Sequence, residues 1–347
     1  MQISCDRRAV LAAGARVVGG VSALGPLGEC LAAPKKTLGF PQDHRVHPGF
    51  PWETWQLAGY ANDGSQGVGF QVTFFRSMAD GVQRWHAHAS VTDVSNTRFL
   101  HDQRVNRTGA NGTGAPAKLS VADWSLGIDT RDIEATVKSD AFEFALRMTP
   151  RQPVLLHGEE GHLRQGLGND QLSYQYSLPQ CAVQGSLFLQ GRRLKVQGDA
   201  WLGHEWSQNP PGQQAAGRDC FAMNLFDGSF VQAFQVRDKS GDRLWDGGVF
   251  RTGKGQRFEF RRGTVEFRRQ RSWKSLLTQA HYPVEWIVRT PADFYTVRAV
   301  FPHQELDSRP ATSGVYWKGL SDLLDSNGNH IGRGFLEMTG YAQTKSL

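Results

Sequence analysis

Residues 197–206 read Gln-Gly-Asp-Ala-Trp-Leu-Gly-His-Glu-Trp, so that two indoles, an imidazole and two carboxylates fall within ten residues. An imidazole or a carboxylate can move a proton, and indole faces can shelter a cation. Groups of these types packed beside an apolar barrel make the segment the best site candidate, an acid–base centre with aromatic faces around it. In that reading His204 or Glu205 is the acid, and Asp227 in Leu225-Phe226-Asp227-Gly228 is a further candidate. Trp201, Trp206, Tyr174 and Tyr176 supply the faces. His204 and Glu205 are adjacent, so in a strand they leave opposite faces and at most one enters a given cavity. If His204 lines that cavity, Trp206 does too. The same residues also have a structural reading. Trp201 and Trp206 are then core anchors, Asp199, His204 and Glu205 satisfy polar groups near a strand end, and Asp227-Gly228 is a hairpin turn.

The remaining titratable residues carry less. His86 and His88 share a strand face at a spacing suited to metal ligation, with His101, His157 and His162 elsewhere. No Cys or carboxylate cluster completes a tetrahedral set, so no metal and no cofactor is expected. Glu53 and Asp93 each either orient a ligand or pair with an arginine. Gly248 to Lys254 has phosphate-loop spacing, but Gly255 stands where a hydroxyl residue is needed. Asp325-Ser326-Asn327-Gly328-Asn329 begins like a calcium loop and then places His330 at the required glycine. Both read as turns. No Gly-x-Ser-x-Gly occurs, so a nucleophile-elbow hydrolase has no support.

These groups must be positioned by strands. Gly67 to Arg76 puts Val68, Phe70, Val72 and Phe74 on one face, and Ala141 to Thr149 does the same with Phe142, Phe144, Leu146 and Met148. Ser229 to Arg237, Val284 to Arg289 and Phe294 to Phe301 continue the alternation. With 39 Gly and 15 Pro as punctuation, the chain reads as an all-β protein of many short strands. Ser272 to Ala280 is the one segment read as a short helix. The length of 347 residues predicts two domains. Ser207 to Arg218, broken by Pro210-Pro211-Gly212, marks the boundary, and Asn106 to Pro116 reads as a mobile loop over a barrel mouth.

Composition narrows the class further. Charged residues make up 21% and hydrophobic ones 39%, with 20 Phe and 10 Trp, which excludes disorder and predicts an aromatic-lined interior. No run of about 18 uncharged apolar residues predicts a membrane helix. The net charge is +6 and the isoelectric point about 9.2. The densest basic segment, Arg261 to Arg271, alternates like two strands joined at Arg262-Gly263-Thr264. No zinc knuckle, basic helix or ribonucleoprotein signature accompanies it, so nucleic acid is not an expected partner. A solvated face, or at most peripheral attraction to anionic lipid, is expected instead. Residues 1–33, with Arg7-Arg8 before a Gly/Ala-rich apolar stretch and Cys30-Leu31-Ala32-Ala33 at its end, read as a twin-arginine-type export signal. The mature protein is then periplasmic or secreted. Cys181 and Cys220 remain, able to form a disulfide there or to stand as two buried free thiols.

Several separated blocks resemble the hydroxyneurosporene synthase family, also called AttH-like and related to carotenoid 1,2-hydratases. They are Phe40-Pro41-Gln42-Asp43-His44 with His47-Pro48, Gly69 to Arg76, and His157-Gly158 before Ser173-Tyr174-Gln175-Tyr176-Ser177. After them come Gly198 to Trp206, Tyr316-Trp317-Lys318-Gly319 and Gly332 to Tyr341. The resemblance implies two lipocalin-like antiparallel β-barrels packed side by side, over 40–207 and 208–345, with an apolar ligand space at the first barrel and its interface. Trp55, Glu53 and His88 join Trp201, Trp206, Tyr174 and Tyr176 as ligand-binding candidates. The chain departs from the family pattern at Gly203, where the family carries Asp before His-Glu-Trp. It departs again at Thr54 and Gln56, where the family carries aromatics. Three functions follow as expectations. The first is an exported carrier of a hydrophobic small molecule, isoprenoid or lipid-like, linked to an ABC-type transport system as the AttH name implies. The second is a hydratase or cyclase acting on an isoprenoid or polyketide alkene, and the third an envelope scaffold.

Overall fold

The computed structural model describes residues 37–342, apart from 80, 107–113, 115, 167–171, 209–214 and 313. The export signal read in residues 1–33 lies outside the described residues, as do most of the Asn106 to Pro116 loop and the proline-containing part of the Ser207 to Arg218 boundary.

The alternating segments form strands, and hairpins chain them into two large antiparallel sheets. In the first, β1 (Trp52–Asn62), β2 (Gly67–Ala79), β3 (Val82–Asp93) and β4 (Arg98–Asn106) make one meander. A second meander contains β5 (Ala117–Val121), β6 (Trp124–Ile128), β7 (Ile133–Lys138) and β8 (Phe142–Pro150). The short β9 (Leu155–Leu156) and β10 (His162–Arg164) lead into the long hairpin of β11 (Leu172–Leu189) and β12 (Arg192–Ser207). That hairpin turns at Gln190 and Gly191, with φ of 54° and 76°, the left-handed pair that matches strand twist in a two-residue loop. Pro179 interrupts β11, because a proline has no N–H for the ladder. The register slips between Leu178 and Cys181, with Gln180 at a φ of 54°, and the bulge bends the strand.

The hairpin closes the meanders on each other, in the order β4-β3-β2-β1-β12-β11-β8-β7-β6-β5. β12 thus lies between β1 and β11. The sheet curves around one core in which Trp55, Phe70, Phe74, Trp85, Trp124 and Trp206 are almost fully buried. Among the described residues no ladder joins the two end strands, β4 and β5.

The second sheet begins with β13 (Gly217–Leu225), β14 (Phe230–Arg237) and β15 (Arg243–Arg251). The strands Val315–Leu324 and His330–Met338 return to its centre, the latter pairing with β13. Among the described residues helix is confined to Arg309–Thr312 and a 3-10 turn at Gln42–His44. The expected helix over Ser272 to Ala280 is not formed. Ser272–Lys274 pairs as a strand with His281–Pro283, and the Ser275 hydroxyl accepts from the Leu277 and Thr278 amides at 3.0 and 3.1 Å. A side chain that offers the backbone a local turn competes with helix. The basic segment Arg261 to Arg271 does not fold as two strands joined at Arg262-Gly263-Thr264: it holds one strand, Glu266–Arg269, paired with Glu285–Arg289, and Arg257–Phe260 just before it pairs with β15.

One apolar seam joins the sheets, with Ala58 and Trp201 from the first against Ala222, Leu320 and Phe335 from the second. Two buried polar ties reinforce it. Gln304 accepts from Thr92 Oγ1 and the Leu320 amide at 2.9 Å each, and donates to the carbonyls of Phe301 and Leu320. At the β11 bulge, Asn224 accepts from the Gln180 amide and donates to the Ala200 carbonyl. Both sheets accordingly lie in one compact unit. Cys181 and Cys220 are free thiols. No helix of the described residues is long and apolar enough to cross a membrane.

Candidate ligand cleft and its polar walls

Strand alternation divides the Gln197 to Trp206 cluster between two places. His204 and Trp206 turn into the first sheet's core, joined by Trp55, Glu53, Tyr174 and Tyr176 from the neighbouring strands. Trp201 and Glu205 leave the opposite face and look toward the second sheet, as His88 does from β3. Asp227 stands apart. It is exposed in the turn between β13 and β14, where its carboxylate accepts from the Ser229 amide at 2.8 Å. Asp93 likewise ties a turn, accepting from the Asn96 amide and side chain.

The inward group is a closed polar network. Glu53 Oε1 sits 3.0 Å from His204 Nε2 and 2.7 Å from His47 Nδ1, while Arg76 Nε donates to Oε2 at 3.2 Å. His47 Nε2 reaches Asp43 at 3.0 Å. His204 Nδ1 and His44 Nδ1 share the Tyr176 hydroxyl at 3.2 and 2.6 Å. The rings stack in turn: His47 on Trp206 with centroids 3.9 Å apart, Trp206 on Tyr174 at 5.3 Å, and His204 on Trp55 at 4.5 Å. Asp43, His47 and Arg76 enter the sequence reading only as parts of the family-like blocks and not as site candidates. They arrive from segments far from 197–206, and no local spacing links them.

Burial sets the charges here. It pulls the His204 imidazole down to about 4, only partly opposed by Glu53, so His204 is neutral at pH 7. Burial would push the Glu53 carboxyl up, but hydrogen bonds from His204 and His47 outweigh it and bring the group to about 2. His47 goes the other way. Burial lowers it, yet its hydrogen bonds to Asp43 and Glu53 raise it overall. His47, Glu53 and His204 also place one potential metal-ligating atom each within 4.8 Å of one another. Both imidazoles point at the same Glu53 oxygen, and the Arg76 guanidinium flanks that carboxylate, an arrangement that suits shared protons better than a divalent cation.

The outward face forms one wall of a cleft of about 560 Å³ between the sheets, within the range of small-molecule sites. Register puts Glu205, Thr54, Phe75 and His86 in one row across the first sheet, and Gly203, Gln56, Thr73 and His88 in the next. Tyr316, Lys318, Glu337 and Cys220 face them from the second sheet. Three hydrogen bonds cross the gap: Lys318 Nζ to Thr73 Oγ1 at 3.1 Å, Gln56 Nε2 to Glu337 Oε2 at 3.2 Å, and the contact of His88 Nδ1 with the Tyr316 hydroxyl at 2.9 Å. Lys318 lies 3.3 Å from Glu337 and is 1% exposed, and burial lowers its amine below the usual lysine range. Glu205 lies 3.6 Å from Arg218 and accepts from Gln165. Trp201 and Phe335 close the apolar end. The cleft therefore combines an apolar floor with buried acid and base groups on facing walls. A more open hollow of about 880 Å³ lies on the second sheet, edged by Arg243, Arg269 and Arg289. It contains part of the basic segment, Gly263 to Arg269, and none of the candidate site residues.

A family model described as AttH-like matches residues 31–341. A crystal structure of a protein assigned as AttH from Nitrosomonas europaea is 35% identical, covering 89% of this chain and 98% of that one with a TM-score of 0.83. Kievitone hydratase from Nectria haematococca is 14% identical, covering 88% and 95% with a TM-score of 0.70. CghA is 13% identical, covering 86% and 93% with a TM-score of 0.57. The last two likenesses show a shared all-β, lipocalin-like fold. No curated protein matches the sequence.

Proposed function

The chain belongs to the AttH-like family, and on that footing we propose that it binds a hydrophobic small molecule, isoprenoid or lipid-like, in the cleft between its two sheets. The observation that carries this reading is the cleft itself, about 560 Å³ with Trp201, Phe75 and Phe335 among its lining. The core of the first sheet, by contrast, is filled by rings stacked on one another. Apolar lining supplies affinity and a few polar groups supply orientation. Mass spectrometry of organic extracts from the natively purified chain tests it. A retained apolar molecule that is lost in Thr54→Trp, which fills the cleft from one wall, supports carriage; a chain that retains nothing and takes up no added apolar probe refutes it. With residues 1–33 read as an export signal, carriage takes place in the periplasm or outside the cell, and the link to an ABC-type transport system belongs to the same proposal.

A second reading is a hydratase or cyclase working in the same cleft, the finer likeness to hydroxyneurosporene synthases being its precedent. The Lys318–Glu337 pair favours it, because its lysine is buried and its half-exposed carboxylate lines the cleft, and perturbed ionisable groups beside a ligand space are a common mark of acid–base sites. On this reading Glu205 and Glu337 are the acids that reach the cleft, whereas His204 and Glu53 lie on the core face behind the wall and take no direct part. Conversion of a polyene that is abolished in Glu337→Gln, with binding retained, distinguishes catalysis from carriage.

A further inference from the structure

His88 is 3% exposed and lies in the cleft wall, with its ring among Phe75, His86 and Tyr316. Its Nδ1 is held by the Tyr316 hydroxyl at 2.9 Å, and its Nε2 is buried without a hydrogen-bond partner. Burial, reinforced by the Glu337 carboxylate, holds the Tyr316 phenol well above its ordinary range, so that hydroxyl keeps its proton. Among the described residues it has no other hydrogen-bond acceptor, so it donates to Nδ1. A neutral imidazole carries one proton, which then sits on Nε2. The result is a buried N–H donor with nothing to donate to, an expensive arrangement in a folded protein unless something else completes it. The next group in the wall is cationic. Thr73, the cross-strand neighbour of His88, accepts from Lys318 Nζ.

Resting on the cleft-binding reading above, we propose that His88 Nε2–H is a ligand-recognition group. The guest is an apolar molecule bearing an oxygen acceptor, a carbonyl or carboxylate, which His88 receives with the Lys318 ammonium supporting it. Tyr316 is the positioning residue that fixes the imidazole's proton on the ligand side.

Equilibrium dialysis of the purified chain against 2-acetylnaphthalene and 2-ethylnaphthalene tests this, since the two probes share an apolar body and only the first has an acceptor oxygen. The expected preference for the ketone is about tenfold, the scale of one well-placed hydrogen bond in a dry site. His88→Gln, whose amide keeps a donor near the Nε2 position, retains the preference. His88→Phe abolishes it while both probes still bind, and Tyr316→Phe reduces it. Equal binding of the two probes to the unmodified chain, or a preference unchanged in His88→Phe, overturns the assignment and leaves the cleft reading standing. Neither probe binding, or both binding undiminished in Thr54→Trp, overturns the cleft reading and this proposal with it.

Discussion

Gly203 and Trp201 share the cleft face of β12 so closely that a Cβ on Gly203 would lie 2.9 Å from Trp201 Cζ3. The indole leans into the space that the missing side chain leaves, so the absence of a carboxylate at Gly203 also sets the shape of the cleft. Gly203→Ala is expected to push the indole aside and cost about 1–3 kcal/mol, the usual range for overpacking. A urea titration followed by tryptophan fluorescence reports both effects. An unchanged midpoint with an unchanged emission maximum would mean that the indole is not held there.

Glu53 is the only carboxylate within hydrogen-bond reach of Arg76 among the described residues, and it also holds His47 and His204. Removing it strands a guanidinium that is 1% exposed. Glu53→Ala should therefore cost about 3–5 kcal/mol, as breaking a buried pair does, while Glu53→Gln, which keeps the shape and one acceptor, should cost less. Chemical unfolding of the two variants gives the comparison. Losses below about 1 kcal/mol in both would show that the network contributes little to the fold.

Stability should fall in mild acid, and imidazoles drive the loss. In the unfolded chain each takes a proton near pH 6.5, whereas burial delays uptake to about 4 in His44, His86 and His204 and to about 3 in His88 and His157. Between those values the unfolded state binds more protons, so stability rises with pH. As pH drops from about 6.5 each imidazole removes up to about 1.4 kcal/mol per pH unit. Glu53, lowered to about 2, adds its own loss below 4.5. His47 opposes the trend, since its raised value contributes stability below pH 6.5 that is lost as pH rises through the folded-state value. Urea midpoints at pH 7.5, 6 and 5 measure the net effect, and a flat profile over that window contradicts it.

The Gln304 amide makes four hydrogen bonds, one to Thr92 of the first sheet and three to Phe301 and Leu320 on its own side. Gln304→Ala takes the acceptor from the Thr92 hydroxyl and the Leu320 amide and the donor from the Phe301 carbonyl, while the Leu320 carbonyl keeps the Val300 amide, at a cost of about 3 kcal/mol. The same variant should exchange the Leu320 amide hydrogen faster than the parent does, a local signature that hydrogen-exchange mass spectrometry can read. Unaltered exchange at Leu320 would argue that the tie is redundant.

Period-two patterning carried most of the fold. The Val68, Phe70, Val72 and Phe74 face is the core face of β2, and the same alternation foretold that His204 and Trp206 would part from Glu205. Harder to read is which side of the sheet faces the cleft. Both faces of β12 are buried, so burial alone does not tell core from cleft. The partners of His204 come from residues 43–76 and from β11, distances over which spacing carries no information. Lys318 enters the sequence reading only within Tyr316-Trp317-Lys318-Gly319, and its partner Glu337 belongs to the separate block Gly332 to Tyr341, so no spacing pairs them. The turn at Ser275 was misread as helix because a local hydroxyl–amide bond is invisible to hydrophobic periodicity.

The glutamine and asparagine ties also bear on kinetics. Sheets fastened at two separate places cannot swing apart like a clamshell, so on the proposed carrier reading a guest has to thread a gap of fixed width. Its arrival rate is then governed by molecular cross-section, not by hinge opening, and bulky rigid molecules are turned away however well their chemistry matches the walls.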